Sequence, residues 1–208
     1  MGIAPFLRKS KVNIERGGKN MKYYDLSVCG VHRKLPYVDF DNETAYASFV
    51  VISDTELITL AGEQLAKKVN GADIIVTIEA KGIALAYEIS RRLSMKDFVV
   101  VRKSIKPYVK SYIQDVVHSI TTNGEQHVFL DDCDALRIKG KKVAIIDDVI
   151  SKGESLAAAE RLVQAAGGIV CAKMAILAEG KAALREDITF LEKLPLFKKV
   201  GDDYEVLD

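Results

Sequence analysis

The stretch Lys141–Leu162, KKVAIIDDVISKGESLAAAERL, limits the fold more than any other part of the chain. From Val143 to Ile146 it offers no polar position, so a strand here must have both faces covered. Such runs belong to parallel sheets with helices on either side, whereas a half-exposed antiparallel strand alternates. Two adjacent aspartates, Asp147 and Asp148, end the run. A small-residue turn follows, and ESLAAAERLVQAAG then reads as a helix that Gly167-Gly168 stops.

The same order recurs along the chain. ADIIVTI reads as a second buried strand, EAKG as a tight loop, IALAYEISRRL as a helix, and DFVVVR and GIVCAKMAILA as further strands. Upstream, SDTEL reads as a capping box, with Ser53 at the N-cap and Glu56 three residues on. It opens the amphipathic segment LITLAGEQLAKKV, which Asn70-Gly71 stops. Alternating strands and helices predict a single α/β domain over residues 21–208, with a mainly parallel central sheet flanked by helices. Its core is expected over 53–180 and a small, short-stranded N-terminal subregion over 21–52. Lys103 to Asp115 shows no clear period, and VVHSITT and HVFL around Asn123-Gly124 predict a hairpin whose loop Glu125 and Gln126 lengthen.

With 49% hydrophobic and 28% charged residues and a formal net charge of +1, the composition is that of an ordinary globular protein. It argues against a disordered or nucleic-acid-coating chain. The charge is uneven. Arg8, Lys9, Lys11, Arg16, Lys19 and Lys22 against Glu15 give residues 1–22 a charge of +5, leaving −4 for the rest. No aromatic or helical pattern accompanies these residues, so a solvated, dispensable extension over 1–20 is favoured over a nucleic-acid arm. No run of eighteen apolar residues and no signal-peptide core is present, which argues against a membrane partner. Cys29, Cys133 and Cys171 are odd in number and far apart, as expected of reduced thiols in a cytoplasmic protein. His32, His118 and His127 lack metal-ligand spacing.

Parallel α/β sheets bind ligands at the carboxyl ends of their strands, where Asp147 and Asp148 stand. Ionised carboxylates only accept hydrogen bonds, so their partners are hydroxyl donors such as a vicinal diol, or a hard cation such as Mg²⁺. In the turn, Ser151, Gly153 and Ser155 offer hydroxyls and close backbone approach ahead of a helix start that favours an anion. Diol-seeking acids followed by a phosphate-seeking turn describe a site for a sugar 5-phosphate. Neither a P-loop nor a dinucleotide-binding glycine fingerprint is present.

The segment Ile145-Ile146-Asp147-Asp148-Val149-Ile150-Ser151-Lys152-Gly153-Glu154-Ser155 resembles the ribose-phosphate signature of the type I phosphoribosyltransferases. Lys152 and Glu154 stand where Thr and Gly are commoner. The loop Glu79-Ala80-Lys81-Gly82 resembles the pyrophosphate loop of the adenine phosphoribosyltransferase branch, with Lys81 in place of Arg. Arg102 and Lys103 end a strand and Lys106 follows, where that family begins a mobile hairpin loop that closes over substrate. The resemblance spans Ser53 to Ala178. It implies that Asp147 and Asp148 hold the ribose and Mg²⁺, that Val149 to Ser155 hold the 5-phosphate, and that residues 79–82, 102, 103 and 106 hold diphosphate. The N-terminal subregion becomes the hood over the base, and a homodimer is implied.

The resemblance implies a phosphoribosyltransferase expected to convert 5-phosphoribosyl 1-diphosphate and a purine base, adenine foremost, to a nucleoside monophosphate and diphosphate. Asp115, Tyr108 and Tyr112 are the candidates for assistance from the loop. A non-catalytic sensor of the ribose diphosphate and a transferase for xanthine, guanine or orotate are the rival readings. Turnover separates the first rival, and a panel of bases separates the second.

Overall fold

The computed structural model describes residues 21–119 and 124–207, so the basic extension over 1–20 and Asn123 of the hairpin turn lie outside the described residues. β1 (Tyr23–Val28), β2 (Val31–Asp39) and β3 (Thr44–Ala47) form an antiparallel meander. Leu26, Val28, Leu35, Ala45 and Ala47 turn inward while Asp25, Lys34 and Asp39 stay outside. α1 (Thr55–Ala66) follows, and its N-cap is Asp54 rather than the expected Ser53. The carboxylate wins the cap because it does two jobs. Asp54 Oδ1 accepts from the Leu57 N–H at 3.1 Å, and Arg33 of β2 donates to both oxygens at 2.6 and 2.9 Å. Glu56, the expected second half of the capping box, also turns to Arg33, at 2.7 Å. The cap thus ties the N-terminal sheet to the core.

β4 (Ile74–Ile78), α2 (Ile83–Arg92) and β5 (Val99–Val101) come next. The hairpin is β6 (Tyr112–Ser119) with β7 (Gly124–Asp131), so Glu125 and Gln126 belong to a strand and not to the loop. Its apolar residues Val117, Val128 and Leu130 are buried in one cluster with Leu156, Ala159 and Leu162, while Arg161 Nε lies 2.6 Å from Asp115 Oδ2. The hairpin is thereby anchored, and the segment left without regular structure is 103–111.

α3 (Asp132–Ile138) leads into β8 (Lys142–Ile150), α4 (Glu154–Ala165), β9 (Ile169–Glu179), a 3-10 turn at Gly180–Leu184, and β10 (Thr189–Leu194). Five strands pair in the order β10-β9-β8-β4-β5, all parallel, with β8 at the centre. That is the arrangement its apolar run requires. Two clusters cover the two faces. Ile146 and Met174 pack with α1 and α2, and Ile145 and Ala175 with α4. The last two strands, β11 (Leu196–Val200) and β12 (Asp203–Leu207), return to the N-terminal sheet in the order β1-β2-β3-β11-β12. Phe197 of β11 is buried there against Tyr24 and Tyr37. The hood is therefore built from both ends of the chain.

Candidate active site

β8 does not end at the aspartates. It stays paired with β9 through Asp147↔Ala175, Val149↔Leu177 and Ile150↔Ala178. Regular alternation would send the two carboxylates to opposite faces. However, Ile146 and Val149 pack on one core and Ile145 and Ile150 on the other, so the alternation slips by one residue across Asp147-Asp148. Both acids consequently meet the 79–82 loop. Asp147 Oδ1 would lie 3.4 Å from a Cβ on Gly82, and Asp148 Oδ2 lies 3.2 Å from Lys81 Nζ. Asp148 is buried and Asp147 half-buried, and Asp147 Oδ1 accepts from the Asp148 N–H at 2.9 Å. Burial, and the Asp148 carboxylate beside it, push the Asp147 carboxyl well above the ordinary range.

The 79–82 loop sits at the end of β4 and opens α2, with a cis peptide between Glu79 and Ala80. Lys81 Nζ also donates to the Phe49 carbonyl at 3.3 Å, where the chain leaves the hood. Gly82 has no room for a Cβ while the Thr77 side chain keeps its place. A Cβ there would collide with Thr77 Oγ1, a hydroxyl that is fully buried and without a hydrogen-bond partner. Glu79 Oε2 accepts from the Lys103 N–H at 2.8 Å, which sets the end of β5 beside the same loop. Arg102, Lys106, Tyr108 and Tyr112 line one small cleft at the base of the hairpin with Phe129 and Asp131. Asp115 faces α4 instead, in its pair with Arg161.

Val149 and Ile150 remain in β8 with their side chains packed in the two cores, so they hold the turn by packing. Ser151 and Lys152 are exposed, and Gly153 has φ +82°, a left-handed conformation that favours glycine. No side chain caps α4, so the first N–H groups of α4 receive no side-chain oxygen from Gly153. Glu154 starts the helix with its Oε2 buried and without a hydrogen-bond partner. Thr77, Phe49 and Arg185, which packs against Gly153, were not legible as site residues. Phe49 and Arg185 reach the site from distant segments, and Thr77 reads as one more position of a buried strand.

An acid pair near the end of β8, a basic loop facing it and an uncapped helix start beyond it give this α/β domain groups that suit a phosphorylated sugar. Residues 51–208 match the phosphoribosyl transferase domain family, and the chain belongs to that family. An adenine phosphoribosyltransferase of Mycobacterium sp. (strain KMS) is 33% identical over 122 residues, 58% of this chain and 66% of the relative. The chain thus spans just under two thirds of that relative's length. Among solved structures, adenine phosphoribosyltransferase from Thermoanaerobacter pseudethanolicus superposes with a TM-score of 0.58 at 24% identity, covering 83% of this chain and 95% of the other. The Trypanosoma brucei adenine enzyme in complex with AMP, pyrophosphate and ribose-5-phosphate gives a TM-score of 0.59 at 18% identity, covering 72% and 70%. These two likenesses show the shared fold.

Proposed function

We propose that the chain transfers the 5-phosphoribosyl group from its 1-diphosphate donor to a purine base, adenine foremost, as a step of purine salvage. The observation that carries this is the convergence of Asp147 and Asp148 on Lys81 and Gly82, between a diphosphate loop and a phosphate turn. The names of the curated relatives support adenine as the base. In the reaction a base nitrogen bonds to the anomeric carbon, the bond from that carbon to the diphosphate oxygen breaks, and the base loses a proton. Asp147 and Asp148 accept from the ribose hydroxyls, and their negative field favours the positive charge that develops on the ring. Lys81 and Arg102 meet the departing diphosphate, with Lys103 and Lys106 beside them.

Mg²⁺ fits this donor set. Asp148 Oδ2 is buried, has only the Lys81 ion pair, and is a hard oxygen ligand. When bound there with Asp147, the ion supplies charge neutralisation for the diphosphate. Closure of 103–111 excludes water from the reacting centre. A homodimer, as the sequence resemblance implies, and a cytoplasmic location complete the reading. The latter fits three free cysteines and the lack, among the described residues, of a helix long and apolar enough to cross a membrane. The test is purified protein with labelled donor, Mg²⁺ and a panel of purines and pyrimidines. Release of diphosphate with adenine is expected. No release with any base sinks the proposal, and donor binding without turnover moves it to the sensor reading.

Glu154 places a carboxylate in the phosphate turn. Glu154→Gly is expected to lower the KM for the donor about fivefold, the scale of roughly 1 kcal/mol of like-charge repulsion near a surface. Initial rates against donor concentration check this, and an unchanged KM means that the carboxylate does not face the phosphate.

A further inference from the structure

The phosphate turn has a neighbour that its own sequence does not reveal. Arg185, just after the 3-10 turn that follows β9, reaches back so that a Cβ on Gly153 would collide with its Nη1 and lie 3.7 Å from its Cζ. Nε and Nη2 form a fork on Asp187, at 2.9 and 2.8 Å. Asp187 is itself gripped by Lys173 Nζ at 2.7 Å, and the same Nζ lies 3.2 Å from Glu160 of α4. The guanidinium is therefore clamped on one edge. Its remaining nitrogen, Nη1, has no acceptor among the described residues and abuts the turn. Glycine at 153 serves two ends, the left-handed φ and the approach of this cation.

We propose that Arg185 is a binding residue for the 5-phosphate, supplying through Nη1 an oriented charged donor to the Glu154-bearing turn, whose own cation, Lys152, is exposed. This rests on the phosphoribosyl-transfer reading. A planar guanidinium already fixed by a carboxylate loses little freedom on meeting a phosphate oxygen, and such charge-assisted bonds are the strong ones. The network Lys173–Asp187–Arg185 acts as the positioning element. With Glu160, which Lys173 also pairs, its charges sum to zero, so the phosphate meets one oriented donor and not a diffuse positive field.

The experiment compares wild type with Arg185→Gln, using ribose 5-phosphate, which lacks the diphosphate, as the binding probe and steady-state kinetics as the second readout. Arg185→Gln is expected to weaken ribose 5-phosphate binding, and to raise the KM for the donor, by about tenfold or more, the scale of one hydrogen bond to a charged group. The kcat with saturating donor is expected to stay within about threefold, because the group lies away from the anomeric carbon. Equal ribose 5-phosphate affinity in the two proteins overturns the proposal. A loss of kcat with unchanged KM overturns it too, since that assigns Arg185 to the structural network. If wild type binds neither ribose 5-phosphate nor the donor, the phosphoribosyl-transfer reading itself fails. Should Arg185→Gln not fold, Asp187→Asn leaves the cation in place but releases its clamp. The same rise in KM is then expected, and an unchanged KM overturns the proposal.

Discussion

Asp147→Asn is expected to cut kcat/KM for the donor by about 10²–10³, the cost of removing one preorganised electrostatic group from an active site. The same substitution is expected to raise the melting temperature of the free protein at pH 7. The two effects share one cause. The carboxylate sits within β8, partly shut off from water and beside the Asp148 carboxylate, so its charged form is disfavoured in the folded state. Its pKa is therefore higher folded than unfolded, and folding takes up a proton at pH values between the two. Below the unfolded value both states are protonated and the group costs nothing. As pH rises toward the folded value, stability is lost. Asparagine is neutral throughout, so the gain in melting temperature is largest at and above neutrality and vanishes as pH falls toward 4, near the unfolded value. Melting curves across that range check the sign. A variant less stable than wild type at pH 7 means that the carboxylate is a structural acceptor and not strained for function. An active variant removes Asp147 from the reaction.

Such a residue is what a sequence shows best, because its meaning is local. An all-apolar strand, two acids and a glycine turn lie within Val143–Ser155, and chemistry alone limits what they do together. The parallel pairing of β4, β5, β8 and β9 was equally legible, though not their order in the sheet, since strands apolar on both faces have few other ways to be covered. What escaped was whatever depends on a partner far along the chain. β11 and β12 are short and only weakly patterned, and the strand they extend, β3, lies some 150 residues upstream at Leu196↔Tyr46. Asp54 took the cap from Ser53 because of Arg33, two strands away. The slip in alternation at the aspartates, which turns both toward one loop, follows from the packing of Val149 and Ile150 and not from their identity. Arg185 lies in a charged loop that by itself reads as solvated surface.

Gly82→Ala is expected to be the most damaging single methyl in the molecule. The added Cβ would collide with Thr77 Oγ1 and stand 3.4 Å from both the Cα and Oδ1 of Asp147. Thr77 belongs to β4 and Asp147 to β8, adjacent parallel strands whose positions the sheet fixes, so neither backbone can retreat. The 79–82 loop must lift instead, drawing Lys81 from Asp148 and Glu79 from the Lys103 N–H. Overpacking of this kind costs about 1–3 kcal/mol of stability, and a displacement near 1 Å at a catalytic constellation costs about 10²-fold in rate. Because the worst contact is with a hydroxyl that has no hydrogen-bond partner, Thr77→Ala removes the obstacle at little cost of its own. The double variant Thr77→Ala/Gly82→Ala is therefore expected to recover stability and most of the lost kcat/KM, giving a coupling free energy of about 1–3 kcal/mol in a double-mutant cycle. Gly82 has φ −74°, which any residue adopts, so additive losses would show that the glycine is needed for a ligand that approaches it and not for the room Thr77 denies. Recovery of stability without recovery of turnover would separate the two demands, leaving Asp147 as the neighbour that still cannot accept a methyl group beside it.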